Sequence, residues 1–229
     1  VKGMIYLKKE LPHIGKQKSR IIVLIGLGFF VLVALALLIS SCDEPKKNNP
    51  IDITFDVFPS EFLGIVKDKP VYITSIGQAI DIEDFLIEVD YLNLFEYTHD
   101  NMLQPEDVPA GAVVMAIVGC SIKGLTSAHL TLEEEMARSQ AFMTKTKNKE
   151  ITFIAWHIGG MARRGSTSDQ IIETVFSGAS LDLFLTYGDS DKFLTNIVVE
   201  NDVPCYQIDY VGNIGLVLKL LAGEVNNGQ

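Results

Sequence analysis

The sequence predicts an α/β fold of three layers, in which a doubly wound, mostly parallel, five-stranded sheet lies between two layers of helices. From Pro70 onward, short β-rich runs alternate with segments of helical periodicity. The second to fourth of these runs are almost continuously apolar, which is typical of strands buried on both faces of a parallel sheet. Together these observations predict a flavodoxin-like or Rossmann-like domain over residues 68–225.

Five strands and five helices are expected in alternation along this domain. The strands are predicted at 70–74, 112–119, 151–157, 181–186 and 204–209, and the helices near 79–90, 132–146, 168–177, 191–201 and 213–223. Thr131 and Glu134 have the spacing of a capping box at the start of the second helix. The polar stretch 93–109 is either a lid or a crossover, and residues 51–58 are either an edge strand or a packed arm.

Two strand orders are compatible with this alternation. The flavodoxin-like order 2-1-3-4-5 reverses between the first and third predicted strands. The order 3-2-1-4-5 reverses between the first and fourth. The first is favoured because it brings together the two loops richest in glycine and polar residues, 75–78 and 157–165.

The first 41 residues differ in composition from the rest of the chain. They contain six Lys or Arg and one Glu, so they carry +5 of a total of −10, and the remaining residues carry −15. Within them Ile21–Ile39 is uncharged, and nineteen helical residues span about 28 Å, close to the thickness of a bilayer core. Residues 1–41 are therefore predicted to be a signal peptide or a signal-anchor helix.

The junction after this segment favours a lipid anchor. Ile39-Ser40-Ser41-Cys42 resembles the bacterial lipoprotein box, in which the cysteine is lipidated and becomes the first residue; the alternative is an uncleaved helix. Residues 42–67 would then form a tether. Because positive charges stay in the cytoplasm, both alternatives place the acidic domain on the extracytoplasmic side of a bacterial cell membrane. The acidic balance also argues against a nucleic-acid partner.

Glycine and polar residues collect after the predicted strands, where ligands of open α/β sheets bind. The third such loop contains the adjacent arginines Arg163 and Arg164, followed by a helix start. A guanidinium and the free N–H groups of a helix start both favour an anion. An alternative is that one arginine pairs with Asp169 or Asp189. The candidate ligand-binding residues are Ser75, Gly77, Gln78, Ser121, Lys123, Gly159, Gly160, Arg163, Arg164, Ser168 and Asp189.

Three further residue types, a histidine, an aspartate and two cysteines, bear on the chemistry of this region. His157 ends the third predicted strand and is either a general acid or base or a buried structural histidine. Asp81 is expected about one turn into the first helix, where it could face the crevice. Cys120 and Cys205 lie at opposite ends of their predicted strands, so two free thiols are expected. No metal-ligand spacing is present, and no ATP or NAD fingerprint, while FMN is suggested by fold analogy alone.

A set of motifs connects these loops to a known family. Thr74–Ala79 (TSIGQA), Val118–Leu125 (VGCSIKGL) and His157–Gly160 (HIGG), followed by the paired arginines and Ser168-Asp169, resemble an uncharacterised bacterial family of exported α/β proteins. The resemblance covers roughly residues 68–222 and implies a shared pocket. It implies no activity and identifies no cofactor.

Three functions are compatible with these patterns. The leading hypothesis is a membrane-tethered extracytoplasmic domain that binds a small anionic ligand. The alternatives are an extracytoplasmic hydrolase or transferase that uses His157 with Arg163 or Arg164, and a non-enzymatic interaction lipoprotein. The sequence identifies no protein partner.

Overall fold

The computed structural model describes residues 55–224 of the 229-residue chain. The predicted membrane segment, the tether up to Thr54 and Cys42 therefore lie outside the described residues. Within 55–224, no helix combines the length and the apolar character needed to cross a membrane.

A parallel sheet of six strands forms the middle layer of the domain. The strands are β1 (Val71–Ile76), β2 (Thr98–His99), β3 (Val113–Val118), β4 (Thr152–His157), β5 (Leu181–Leu185) and β6 (Cys205–Ile208). They lie in the order β2-β1-β3-β4-β5-β6, and all five neighbouring pairs are parallel. The α/β class is thus confirmed, and the sheet has a flavodoxin-like order once β2 is counted, whereas the five predicted strands themselves do not lie in the predicted order 2-1-3-4-5.

The arrangement corrects two details of the prediction. The sheet has six strands rather than five, because the stretch 93–109 contributes the two-residue β2 at the edge beside β1. With β2 counted, the strand order reverses between β1 and β3, which are neighbours in the sheet. The strand at 151–157, expected beside the first strand, is separated from it by β3. The stretch 93–109 is a crossover rather than a lid.

Helices cover both faces of the sheet. They are α1 (Ile82–Leu92), α2 (Ile122–Ser127), α3 (Leu132–Lys147), α4 (Ser166–Phe176), α5 (Phe193–Glu200) and α6 (Ile214–Ala222). Helices α1 and α6 contribute to the core on one face, and α3, α4 and α5 to the core on the other. The short α2 was not predicted. It begins where Ser121 Oγ accepts a hydrogen bond from Gly124 N.

The alternation of side chains explains why β3 reads as an unbroken apolar run. Val113, Met115 and Ile117 face the first core, and the residues between them face the second. All six residues of β3 are buried. A strand with a core on each face needs apolar side chains at every position.

The predicted capping box and arm can both be examined in the described region. Thr131 Oγ1 accepts a hydrogen bond from Glu134 N, and the Glu134 carboxylate accepts one from Thr131 N, so the capping box of α3 is confirmed. Residues 55–58 pack as an arm rather than a strand. The carbonyl of Phe55 accepts a hydrogen bond from Gln207 N in β6, and Phe58 is buried in the first core.

Candidate functional site

A cleft of about 370 Å³ opens at the carboxyl ends of β1, β3 and β4. Its lining comes from three loops, residues 79–81 after β1, 119–121 after β3 and 162–168 after β4. The cleft thus begins at the boundary where the strand order reverses, which is where open α/β sheets bind ligands. The loops that follow β1 and β4 meet here although β3 lies between their strands.

The backbone of two loops makes the floor of this cleft. Ser121 N donates a hydrogen bond of 2.9 Å to the carbonyl of Gly77, and Gly119 N donates one to the carbonyl of Ile76. Gly77 has φ +80°, a conformation that favours glycine, and a Cβ there would overlap the carbonyl oxygen of Gly119. The approach of the two loops therefore requires a glycine at position 77.

A buried ion pair between two residues of α3 contacts the loop that follows β1. Glu135 Oε1 accepts a hydrogen bond of 2.5 Å from Gly77 N, and Arg138 is paired with the same carboxylate. Arg138 also donates to the carbonyls of Ser75 and Leu103, at 2.6 and 2.9 Å. Both charged side chains are almost fully buried. Sequence reasoning missed this pair, although its spacing of three residues on one helix was visible.

Arg163 lies in the cleft with most of its hydrogen-bonding capacity unused. Its Nε is 3.2 Å from Asp81 Oδ1, and its side chain is 43% exposed. Within residues 55–224 the two terminal nitrogens of its guanidinium have no hydrogen-bond partner. Gly159 lies beneath this ion pair, because a Cβ at that position would overlap both the Arg163 side chain and the Asp81 carboxylate.

Arg164 has the opposite character. Its side chain is 5% exposed, and its guanidinium donates to the carboxylates of Asp169 and Asp191 and to the carbonyl of Gly188. It also lies over the ring of Phe193, at 4.1 Å from the ring centroid. The pairing of one arginine with Asp169, considered from the sequence, is confirmed for Arg164. This arginine holds loops together and has little left to offer a ligand.

The start of α4 supplies further donors to the cleft. Its first turn, residues 166–168, has backbone N–H groups for which an α-helix provides no acceptor. Ser166 and Thr167 are at least partly exposed there, and Ser168 is buried. Ser168 Oγ accepts a hydrogen bond of 3.1 Å from Cys120 N, which joins α4 to the loop after β3.

The carboxylate next to this turn stays ionised. Burial alone would raise the pKa of Asp169, but its hydrogen bonds with Arg164 and Gly165 N hold that pKa below its ordinary value. Asp169 is therefore a permanent anion whose charge Arg164 balances. The positive end of the α4 dipole remains directed towards the cleft.

Seven predicted ligand residues lie outside the lining of this cleft, namely Ser75, Gly77, Gln78, Lys123, Gly159, Gly160 and Asp189. Ser75 is buried within β1, and Asp189 is buried where its carboxylate accepts from Leu194 N and Thr195 Oγ1 at the start of α5. The Gln78 amide donates to the carbonyl of Asn101 and so ties the crossover to β1. Lys123 is exposed on α2.

The remaining glycines have packing roles near the cleft. Gly160 has φ +62°, and a Cβ there would overlap the ring of Tyr187, so this residue allows the loop after β5 to approach. Among the predicted ligand residues, Ser121, Arg163, Arg164 and Ser168 belong to the lining. Asp81, which from the sequence could face the crevice, also lines the cleft.

His157 is buried at the end of β4 rather than in the cleft lining. Its Nδ1 is 2.9 Å from the carbonyl of Val118, and its Nε2 is 3.3 Å from the carbonyl of Gly160. Burial lowers the pKa of His157, so the ring is neutral at neutral pH. A neutral imidazole has a single N–H and so donates to one of these two carbonyls, and the residue, 1% exposed, is enclosed between β3 and the loop after β4.

The two cysteines of the described region are both free, as expected. Cys120 is partly exposed in the lining of the cleft, and Cys205 is buried in β6. Burial, together with the charge of Glu135, raises the pKa of Cys120. Cys120 is therefore a neutral thiol at neutral pH and a weak nucleophile.

One comparison with known proteins decides the family. The model of a family described as a domain of unknown function (DUF6305) matches residues 68–221, which is more than half of the chain. The chain belongs to the DUF6305 family. The DUF6305 region contains all six strands and every loop that lines the cleft. No curated protein and no solved structure matches the chain significantly.

Proposed function

We propose that this DUF6305 domain binds a small anionic molecule in the cleft at the carboxyl ends of β1, β3 and β4. The observation that carries the proposal is the contrast between the two arginines. Arg164 is fully engaged with protein groups, whereas the terminal nitrogens of Arg163 face no acceptor in the described residues. A guanidinium with two free N–H₂ groups suits bidentate binding of a carboxylate or a phosphate.

The start of α4 complements Arg163. An anion that reaches residues 166–168 meets unpaired backbone N–H groups, the hydroxyls of Ser166 and Thr167, and the positive end of the helix dipole. These donors and Arg163 line the same cleft, so the proposal places a single anion in contact with both.

The ion pair between Arg163 and Asp81 is compatible with such a ligand. An exposed ion pair contributes only about 0–1 kcal/mol, so an anion can take the place of Asp81 at little cost in free energy. Asp81 is 18% exposed and keeps access to water when its partner turns away. The ion pair with Asp81 therefore positions Arg163 in the cleft and leaves its terminal nitrogens available for an anion.

Isothermal titration calorimetry of the full-length chain with phosphate and carboxylate probes tests the binding. Arg163→Ala should weaken binding about tenfold to hundredfold, because a charge-assisted bidentate contact is lost. Lys147→Ala, which removes one positive charge at the exposed end of α3, is the matched control and should bind like the unaltered chain. Unchanged affinity in Arg163→Ala would contradict the proposal.

We further propose that the domain is tethered on the extracytoplasmic face of a bacterial membrane, with Cys42 as the lipidated residue. The support is the sequence pattern alone, a basic segment and an apolar stretch before an acidic domain. Metabolic labelling with a fatty-acid analogue should mark the chain but not Cys42→Ser, with Cys120→Ser as the control. Labelling that survives in Cys42→Ser would exclude a lipid anchor at this residue.

A further inference from the structure

The lining of the cleft includes apolar side chains that a bare inorganic anion would not need. Ala79, Ile80 and Ala162 belong to it together with the polar groups. The Ile80 side chain is 51% exposed although it follows directly on a buried strand and loop. Burying apolar surface is favourable, so an apolar ligand group that covers Ile80 would gain from this exposure.

Two more exposed apolar residues flank the same lining. Ile122 is 58% exposed next to Ser121, and Met161 is 40% exposed next to Ala162. Ile122 and Met161 adjoin lining residues along the chain but are not themselves in the lining. Single exposed apolar residues are ordinary, so Ile80, which is both exposed and part of the wall, is the residue that indicates an apolar group in the cleft.

The size of the cleft also exceeds the needs of an inorganic anion. A water molecule takes up about 30 Å³ in the liquid, so a volume of about 370 Å³ corresponds to roughly a dozen waters. A phosphate or carboxylate group occupies only a fraction of that space. The rest of the cleft is open to a further part of the same ligand.

We infer that the ligand is an organic anion with an apolar body. Its anionic group lies against Arg163 and the start of α4, and its apolar body lies against Ile80 between the loops 79–81 and 162–168. This inference rests on the proposed function, because the position of the anionic group is taken from it. It adds the chemical class of the ligand, and the residue that recognises the apolar body.

The test compares probe pairs that share an anionic group and differ in the apolar body. Titrations of the full-length chain in phosphatidylcholine nanodiscs would use inorganic phosphate against phenyl phosphate, and acetate against benzoate. The aryl member of each pair should bind at least about tenfold more tightly, since a buried aromatic ring adds apolar contact area. Ile80→Ser should remove most of that advantage.

Ile87→Ser is the matched control. Ile87 is 66% exposed on α1 and does not line the cleft, so its replacement removes an equally exposed isoleucine elsewhere. Ile87→Ser should keep the full preference for the aryl probes. A preference that is equal in Ile80→Ser and in the unaltered chain would overturn the inference, as would equal affinity for the two members of each pair.

The outcomes separate this inference from the function on which it rests. If inorganic phosphate and acetate bind in an Arg163-dependent way without any gain from the aryl ring, the anion site stands and the apolar body is excluded. If no probe binds, both fail together. Displacement of phenyl phosphate by phosphatidylglycerol added to the nanodisc would identify a lipid as the source of the organic anion, and no displacement would identify a free molecule.

Discussion

Arg163 and Arg164 are adjacent in the chain, yet they differ about ninefold in side-chain exposure, 43% against 5%. The difference follows from their places in the loop, since Arg164 turns towards α5 and Arg163 turns towards α1. Arg164 has two carboxylates, a carbonyl and an aromatic ring around its guanidinium. A residue with so many partners stabilises the fold, whereas a residue with one partner is available for binding.

Arg164→Ala should therefore lower the free energy of unfolding by about 2–3 kcal/mol, because charged hydrogen bonds and a cation–π contact are lost. Arg163→Ala should lower it by less than about 1 kcal/mol, as expected for an exposed ion pair. Urea denaturation followed by the fluorescence of Trp156, the single tryptophan, which is fully buried, measures both. Equal losses in the two variants would contradict the assignment of separate roles.

Asp182 is a second residue whose surroundings predict its behaviour. It is the second residue of β5, fully buried, and neither carboxylate oxygen has a hydrogen-bond partner in the described residues. Its partner in β6 is Cys205, which offers no strong donor. Burial raises the pKa of Asp182 well above its ordinary value, so the folded domain keeps this group protonated at a pH where the unfolded chain ionises it.

The pH dependence follows from this difference. Below the ordinary aspartate pKa both states are protonated and Asp182 adds no slope; as the pH rises from there to the raised pKa, ionisation favours the unfolded chain and stability falls. The slope is about 1.4 kcal/mol for each pH unit in that window. Asp182→Asn does not titrate, so its stability relative to the unaltered chain should increase from pH 4 to pH 8 in urea denaturation. Parallel curves for the two proteins would contradict this.

Among the elements, α3 has the largest influence on the site without lining it. Its capping box fixes where the helix begins, and one residue after that box Glu135 reaches Gly77 N beneath the cleft. Arg138, one turn later, reaches the carbonyls of Ser75 and Leu103. The helix thereby fixes the end of β1 and the crossover at once.

Removing one member of this pair leaves the other as an unbalanced buried charge. Glu135→Ala should lower the free energy of unfolding by about 3–5 kcal/mol. The double variant Glu135→Ala with Arg138→Leu should lose clearly less than the sum of the two single variants, with a coupling of at least about 1 kcal/mol. Denaturant titrations of the four proteins give this coupling. Additive losses would show that the pair does not act as a unit.

The elements differ in how well the sequence predicted them. β3, β4 and β5 are long apolar runs, and their burial on both faces left no alternative structure. β2 was missed because two exposed residues, Thr98 and His99, have no apolar pattern at all. α2 was not predicted because it has only six residues and one of them is glycine, which is a poor helix former.

The sequence predicted which loops meet at the cleft, but it did not predict which residues contact one another there. Glycine and polar residues after the strands predicted a site at the edge where the cleft lies, and Asp81, Ser121, Arg163 and Ser168 line that cleft. The contacts depend on which strands are neighbours, and the unrecognised β2 shifted that assignment. Glu135 and Arg138 escaped notice because charges three residues apart on a helix usually face solvent.

At the scale of the whole molecule, the described region contains its own two cores. The buried residues of these two cores lie between Phe58 and Ala222. Phe58 and Phe62 are the earliest members of the first core and precede the family match at residue 68. The folding unit therefore begins before the region that defines the family.

A fragment that starts at Asn48 keeps every core residue of the described region and is the reference for thermal unfolding. A fragment that starts at Leu63 lacks two core aromatic side chains and should be less stable by at least about 3 kcal/mol. Circular dichroism melts of the two fragments measure the difference. Equal midpoints for both fragments would show that the arm of residues 55–62 adds nothing to the fold.

The contact between the loops after β1 and β3 has a consequence for variation in this cleft. The hydrogen bonds from Gly119 N to the carbonyl of Ile76 and from Ser121 N to the carbonyl of Gly77 join backbone to backbone. Under the proposed function, substitutions in the wall at Ile80, Arg163 or Thr167 would change the chemistry that the cleft offers while these two hydrogen bonds stay in place. A cleft built in this way separates the residues that set its chemistry from the backbone that sets its width.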